Sequence, residues 1–130
     1  MNELTGRRIL VVEDSPVVAP FTQEVLEELG CIIVGPAGNL ASARELAEAE
    51  DIDAAILDIN IRGDKSFAVC DILDRRDVPF VLTSGYAGGV VPEKWQNRPR
   101  LPKPYTLRDV EAALLALDEG SPTPRDVAGA

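Results

Sequence analysis

Four short apolar runs in this chain each lead to a charged or hydroxyl-bearing residue. Residues 9–12 run into Glu13 and Asp14, 54–57 into Asp58, 80–83 into Ser84, and Leu101 stands two residues before Lys103. The first, a continuous β-branched run, suits a central strand buried on both faces of a parallel sheet. As neighbours in one sheet, the four runs would gather three carboxylates, a hydroxyl and an ammonium at the edge where open α/β folds place their sites.

The intervening segments read as helices. Asp14, Ser15 and Pro16 supply capping side chains and a first-turn proline, and Val17, Val18, Phe21, Val25, Leu26 and Leu29 recur at helical spacing up to Gly30. Residues 31–34 form a second strand ended by Gly35-Pro36. Asn39 caps a helix running to about Glu50, with Leu40, Ala43, Leu46 and Ala47 inward. Residues 54–57 are the third strand, 64–74 a helix with Phe67, Cys70 and Leu73 inward, and 79–83 the fourth strand.

Gly85, Gly88, Gly89, Pro92 and Pro99 break any long helical period between the fourth strand and the next, so the fourth helix is expected to be short or irregular. Residues 100–102 are a short edge strand, and Thr106 caps a last helix with Leu107, Val110, Leu114, Leu115 and Leu117. Strands alternating with helices imply an α/β, doubly wound parallel sheet with right-handed crossovers. Residues 1–119 make one domain, and the Ser- and Pro-rich residues 120–130 read as a disordered tail.

At 130 residues with 45% hydrophobic positions, the chain is one ordinary domain with a proper core. Its net charge of -9 argues against a nucleic-acid partner, because binding a phosphate backbone needs clustered Lys and Arg. Cys31 and Cys70 have neither zinc-ligand spacing nor the company of a disulfide framework, so both read as reduced core thiols. No signal peptide or membrane span is legible near Arg7 and Arg8, and a cytoplasmic monomer is the expectation.

Carboxylates packed at a sheet edge repel strongly, by roughly 4 kcal/mol for unit charges 4 Å apart at an effective dielectric near 20. The cluster therefore calls for a cation. Oxygen-only ligands with a solvent-facing position suit Mg²⁺. Asp14 and Asp58 are the expected direct ligands, Glu13 acts through water, and the backbone carbonyl of Asn60 is a further ligand. Asp58 is also the candidate nucleophile, since a carboxylate can form an aspartyl phosphate, and here it is followed by a flexible 60–63 loop.

Lys103 would meet one phosphoryl oxygen and the Ser84 hydroxyl another, with backbone N–H groups near Asn60 and Gly85 completing the cradle. Taken singly, each has a plainer reading. Glu13 and Asp14 can cap a helix, Asp58 and Ser84 can open turns, and Lys103 can be a solvated charge. It is the joint order, one residue set per strand end, that favours the site.

From about residue 8 to 117 the chain resembles a bacterial response-regulator receiver domain of two-component signalling. The resemblance rests on Val-Val-Glu13-Asp14-Ser-Pro, Ile-Leu-Asp58-Ile-Asn60, Pro79 followed five residues later by Ser84-Gly85, and Lys103-Pro104. It implies a flavodoxin-like (βα)5 fold with strand order 2-1-3-4-5 and a cis Lys103-Pro104 bond. It further implies that a histidine kinase or phosphotransfer protein donates a phosphoryl group to Asp58 with Mg²⁺. The module is then a stand-alone one, not an enzyme with an external substrate. It would act through a downstream protein, as a switch on the Ser84 to Lys103 face or as a phosphate sink.

Two positions depart from the pattern. Arg100 stands where such receivers carry an aromatic switch residue, and the 85–99 segment is shortened and rich in Gly and Pro. In the first respect residues 81–86 partly resemble stand-alone receivers of stress pathways. Tyr86 and Asn60 flank the path a hydrolytic water would take, the Tyr86 ring reading equally as one packed over its loop, and Trp95 reads as a ring covering the core ahead of an anchor for a partner. The rival readings are a small aspartyl-phosphate phosphatase, for which Asn60 stands where a second acid is needed, and a phosphate-independent interaction domain with a vestigial site.

Overall fold

The computed structural model describes residues 3–84 and 91–118. Gly85, Tyr86 and the 120–130 tail, for which a cradle, a water path and disorder are expected, lie outside the described residues.

The central strand is buried at every position, as its unbroken apolar sequence requires: β3, Ala54–Asp58. Flanking it are β1 (Arg8–Val12) and β6 (Phe80–Ser84), with β2 (Ile32–Ala37) and β7 (Arg100–Pro102) at the edges. All four pairings are parallel, and the spatial order β2-β1-β3-β6-β7 is the expected 2-1-3-4-5 order of the main strands. A small antiparallel hairpin, β4 (Asn60–Ile61) with β5 (Asp64–Lys65), stands apart from the sheet.

Side chains alternate across the sheet and so build two cores. Ile9, Val11, Ile56 and Val81 face α1 (Val18–Glu28) and α4 (Leu107–Asp118), joined by Leu26, Val110 and Leu114. Leu10, Val12, Leu57 and Leu82 face α2 (Leu40–Ala49) and α3 (Phe67–Arg75), joined by Ala43, Ala47, Val69 and Leu73. Among the described residues no helix is long and apolar enough to cross a membrane.

Several local expectations need correction. The buried face of α1 is Ala19, Thr22, Val25 and Leu26, whereas Val17 is 75% and Phe21 40% exposed. Ser15 Oγ accepts the N–H groups of both Val17 and Val18, which starts the helix at Val18 and sets this phase. Thr22 can occupy the buried stripe because its hydroxyl lies 2.9 Å from the Val18 carbonyl and 2.8 Å from Tyr105 Oη.

Strand β2 does not stop at Gly35-Pro36 but continues through it to Ala37. The pairing steps from Leu10 opposite Val34 to Val12 opposite Ala37, so β2 carries one extra residue, a bulge. Gly35 is required there. Its φ is +100°, and a Cβ would lie 2.8 Å from the Ala37 nitrogen and 3.0 Å from the Val11 carbonyl oxygen. The Gly35-Pro36 bond is cis, which the sequence reading did not anticipate, as is the anticipated Lys103-Pro104 bond.

The expected 60–63 loop and the first turn of a 64–74 helix are instead the β4–β5 hairpin, with α3 starting at Phe67. Arg62 and Gly63 form its tip, both with positive φ, the conformation that matches a two-residue turn to strand twist.

Among the described residues, the place of a fourth helix holds only a 3₁₀ turn, Glu93–Trp95. Trp95 is buried edge-on against Phe80, with ring centroids 5.5 Å apart. Arg98 lies over the Phe80 ring at 4.6 Å and pairs with Asp74 at 2.6 Å, while Lys94 pairs with Asp71 at 2.7 Å. The segment is thereby tied to α3.

Candidate functional site

The register of the sheet decides which side chains meet. Val12 lies opposite Leu57, so the residues following β1 emerge beside Asp58, the last residue of β3. The bulge in β2 lets the Ala37 carbonyl accept the Glu13 N–H at 3.0 Å, fixing the chain as it leaves the sheet. Glu13, Asp14 and Asp58 each offer a carboxylate oxygen within 4.8 Å of the others. Glu13 and Asp58 are buried and Asp14 is exposed, so the cluster opens to solvent on one side.

Lys103 reaches into this cluster from the end of β7. Its Nζ lies 2.8 Å from Glu13 Oε1 and 2.8 Å from Asp58 Oδ2. The Lys103 N–H also donates to the Ser84 carbonyl at 2.8 Å, so β6 and the Lys103 backbone are locked together. The other oxygens are held by main chain. Ser15 N–H donates to Glu13 Oε2 at 3.0 Å, and Asn60 N–H to Asp58 Oδ1 at 3.1 Å.

Burial sets the charge balance. Desolvation raises the Glu13 carboxyl above its usual range, and this outweighs the pull of the Lys103 ammonium. Desolvation pushes the Lys103 ammonium down, but its hydrogen bonds to Asp58 and Glu13 more than offset it and hold the group above its usual value. The lysine thus stays charged and serves as the resident counter-ion of two buried acids.

Of the expected site residues, Glu13, Asp14, Asp58 and Lys103 come together in space. Asn60 joins them through its N–H, its side chain turning to the Lys65 ammonium at 2.6 Å. Ser84 ends β6 one residue beyond Thr83, which lies opposite Asp58. Arg100 is exposed on the edge strand.

Four contacts were not legible beforehand. Ser66, fully buried, donates its hydroxyl to the Asp58 carbonyl at 2.7 Å. Arg62 N–H donates to Asp14 Oδ2 at 3.0 Å while its Nε donates to the Gly38 carbonyl at 3.0 Å. Tyr105, two residues beyond Lys103, meets Thr22. The one available signal was the Arg62-Gly63 turn, which could have disclosed the hairpin.

Hard oxygen donors and a solvent-facing acid make this cluster one that can hold a metal ion. A parallel α/β sheet with such a cluster at its C-terminal edge has its candidate site where open α/β folds bind their ligands. Residues 9–93 match the model of the response regulator receiver domain. The chain belongs to that family, a signalling module of two-component systems.

SdrG from Sphingomonas melonis Fr1 has a similar structure, with a TM-score of 0.79 and 42% identity over 90% of this chain and 98% of that one. The BeF3-activated conformation of SdrG, from Pseudomonas melonis Fr1, gives a TM-score of 0.73 at the same identity and coverage. The receiver domain of sensor histidine kinase PA1611 from Pseudomonas aeruginosa PAO1, solved with a magnesium ion in its active-site cleft, shares the fold. Its TM-score is 0.70 at 20% identity, over 87% and 97% of the two chains. The transcriptional regulatory protein PdtaR of Mycobacterium tuberculosis is 31% identical over 112 residues, 83% of this chain and 55% of that protein. The chain spans about half the length of the curated relatives it matches first.

Proposed function

We propose that Asp58 is the phosphoacceptor of this receiver, with a histidine kinase or phosphotransfer protein as donor. The observation that carries the reading is the Lys103 ammonium lying 2.8 Å from both Asp58 and Glu13 beside the exposed Asp14 carboxylate. Asp14 and Asp58 would hold Mg²⁺ directly, Glu13 through water, and the Asn60 carbonyl would add a ligand. The bound ion supplies positive charge against the phosphoryl oxygens. In support, a magnesium ion occupies the cleft of the PA1611 receiver and SdrG has a BeF3-activated conformation.

The chain's own groups do the positioning. Asn60 N–H and Lys103 hold the two oxygens of Asp58 in fixed directions, so the attacking carboxylate does not rotate. Lys103 then follows the negative charge from the Asp58 carboxylate to a phosphoryl oxygen, with the Ser84 hydroxyl and the N–H groups near Asn60 and Gly85 meeting others. Asn60, two residues beyond Asp58, stands where a phosphatase of this type would carry the acid that protonates the leaving group. The protein works in the cytoplasm as a monomer and signals through a downstream protein on the Ser84 to Lys103 face, or drains phosphoryl groups from the kinase.

Intact-mass measurement after incubation with Mg²⁺ and acetyl phosphate tests the acceptor. A single base-labile adduct on the wild type, absent from Asp58→Asn, is expected. An adduct that persists in Asp58→Asn, or none on the wild type even with a kinase donor, overturns the assignment. Comparing downstream-partner affinity with and without BeF3 then separates switch from sink, since only a switch needs differential affinity.

A further inference from the structure

We propose that Lys65 is a positioning residue that prolongs the phosphorylated state by occupying the side-chain carbonyl of Asn60; this rests on Asp58 being the phosphoacceptor. The hairpin places the two residues together for a structural reason. Asn60 pairs directly with Lys65 and Ile61 with Asp64 across β4 and β5, and directly paired residues share a face. Ile61 is fully buried, which seats its face of the hairpin on the core and turns Asn60 and Lys65, both exposed, outward.

The hairpin is also tied down around the site. Arg62 N–H holds Asp14, Arg62 Nε holds the Gly38 carbonyl, and Ser66 holds Asp58 through its hydroxyl and Ile59 through its N–H at 2.9 Å. With Asn60 N–H on Asp58 Oδ1, the Asn60 side chain starts at the mouth of the acceptor site, and the Lys65 ammonium meets its Oδ1 at 2.6 Å.

The consequence follows from the chemistry of hydrolysis. The oxygen of a water molecule bonds to phosphorus, and the bond from phosphorus to the Asp58 oxygen breaks with its electron pair staying on the carboxylate. Both hydrogens of the water end on the departing dihydrogen phosphate. A carbonyl oxygen beside the phosphoryl group that accepts a hydrogen bond from that water would orient it for attack. Here the acceptor is engaged by an ammonium, which directs the Asn60 carbonyl away from water and lowers its basicity. Lys65 therefore slows hydrolysis through Asn60.

The test is the decay of the phosphoryl adduct, followed by intact mass after removal of acetyl phosphate in Mg²⁺ buffer. It compares wild type, Lys65→Met, Lys65→Arg, Asn60→Ala and the Asn60→Ala/Lys65→Met double variant. Lys65→Met should shorten the lifetime roughly three- to tenfold, the span expected for freeing one hydrogen-bond acceptor. Lys65→Arg should keep the wild-type lifetime, and Lys65→Met should have no effect in the Asn60→Ala background. Unchanged or slower decay in Lys65→Met, or an equal effect without Asn60, overturns the role of Lys65. No adduct on the wild type overturns the acceptor assignment itself.

Discussion

Replacing Lys103 by methionine separates the two jobs that its ammonium is assigned, neutralising buried acids and opposing a metal ion. The side chains of Glu13 and Asp58 are only 3% and 9% exposed, and both are paired with Lys103 at 2.8 Å. Removing one partner of a buried pair costs roughly 3–5 kcal/mol when the remaining charge is fully sealed. The open side at Asp14 lets water in, so we expect about 2–3 kcal/mol at pH 7 in metal-free buffer.

A divalent ion held by these oxygens would be repelled by the lysine ammonium, by about 2–7 kcal/mol for +2 and +1 at a separation of roughly 5 Å and dielectrics between 80 and 20. Even the low end makes Mg²⁺ bind Lys103→Met at least tenfold more tightly than wild type. Urea denaturation at several Mg²⁺ concentrations measures both effects, because a ligand at free concentration L that binds only the native state stabilises it by RT ln(1 + L/Kd). The variant should be the less stable protein without Mg²⁺ and should recover most of the difference at millimolar Mg²⁺. Equal Mg²⁺ stabilisation of the two proteins would refute the counter-ion reasoning.

Three further outcomes follow from other contacts. Ser66→Ala withdraws the hydroxyl from the Asp58 carbonyl and should cost about 1–2 kcal/mol in urea denaturation while slowing adduct formation; an unaffected adduct rate would mean that the contact does not position Asp58. Trp95→Ala removes the ring packed on Phe80 under Arg98 and should cost about 3–5 kcal/mol, read by circular dichroism because Trp95 is the only tryptophan. Burial pushes the Cys70 thiol up to about 12, so in a Cys31→Ser background a thiol reagent at pH 8 should modify Cys70 only as fast as the protein unfolds. Rapid stoichiometric modification of the native protein would contradict this.

The architecture was legible because the inner parallel strands, buried on both faces, write themselves as unbroken apolar runs, and the five strand segments of this chain alternate with helical periods. The order of polar residues at the run ends was legible for the same reason, since each must emerge at the sheet's C-terminal edge. What failed was local. The helical spacing of Val17, Val18, Phe21, Val25, Leu26 and Leu29 did not say which of them are buried: Val17 and Phe21 are exposed, and Thr22 takes an inner position with its hydroxyl satisfied by Val18 one turn back and by the distant Tyr105, a partner that no spacing rule names. Likewise β2 was stopped at Gly35-Pro36, although Gly35 fits a bulge that brings Ala37 onto Glu13.

The sequence by itself therefore determined the sheet, its residue-by-residue complement of acids, hydroxyl and lysine, and the absence of a regular helix between Trp95 and the last strand. Those properties depend on local pattern and chain order. Only the tertiary structure decided that Lys103 bridges Glu13 and Asp58, that Ser66 braces Asp58, and that a hairpin seated by Ile61 sets Lys65 on Asn60. Such contacts depend on register and on which face a short segment buries, and these are settled by packing across the whole domain.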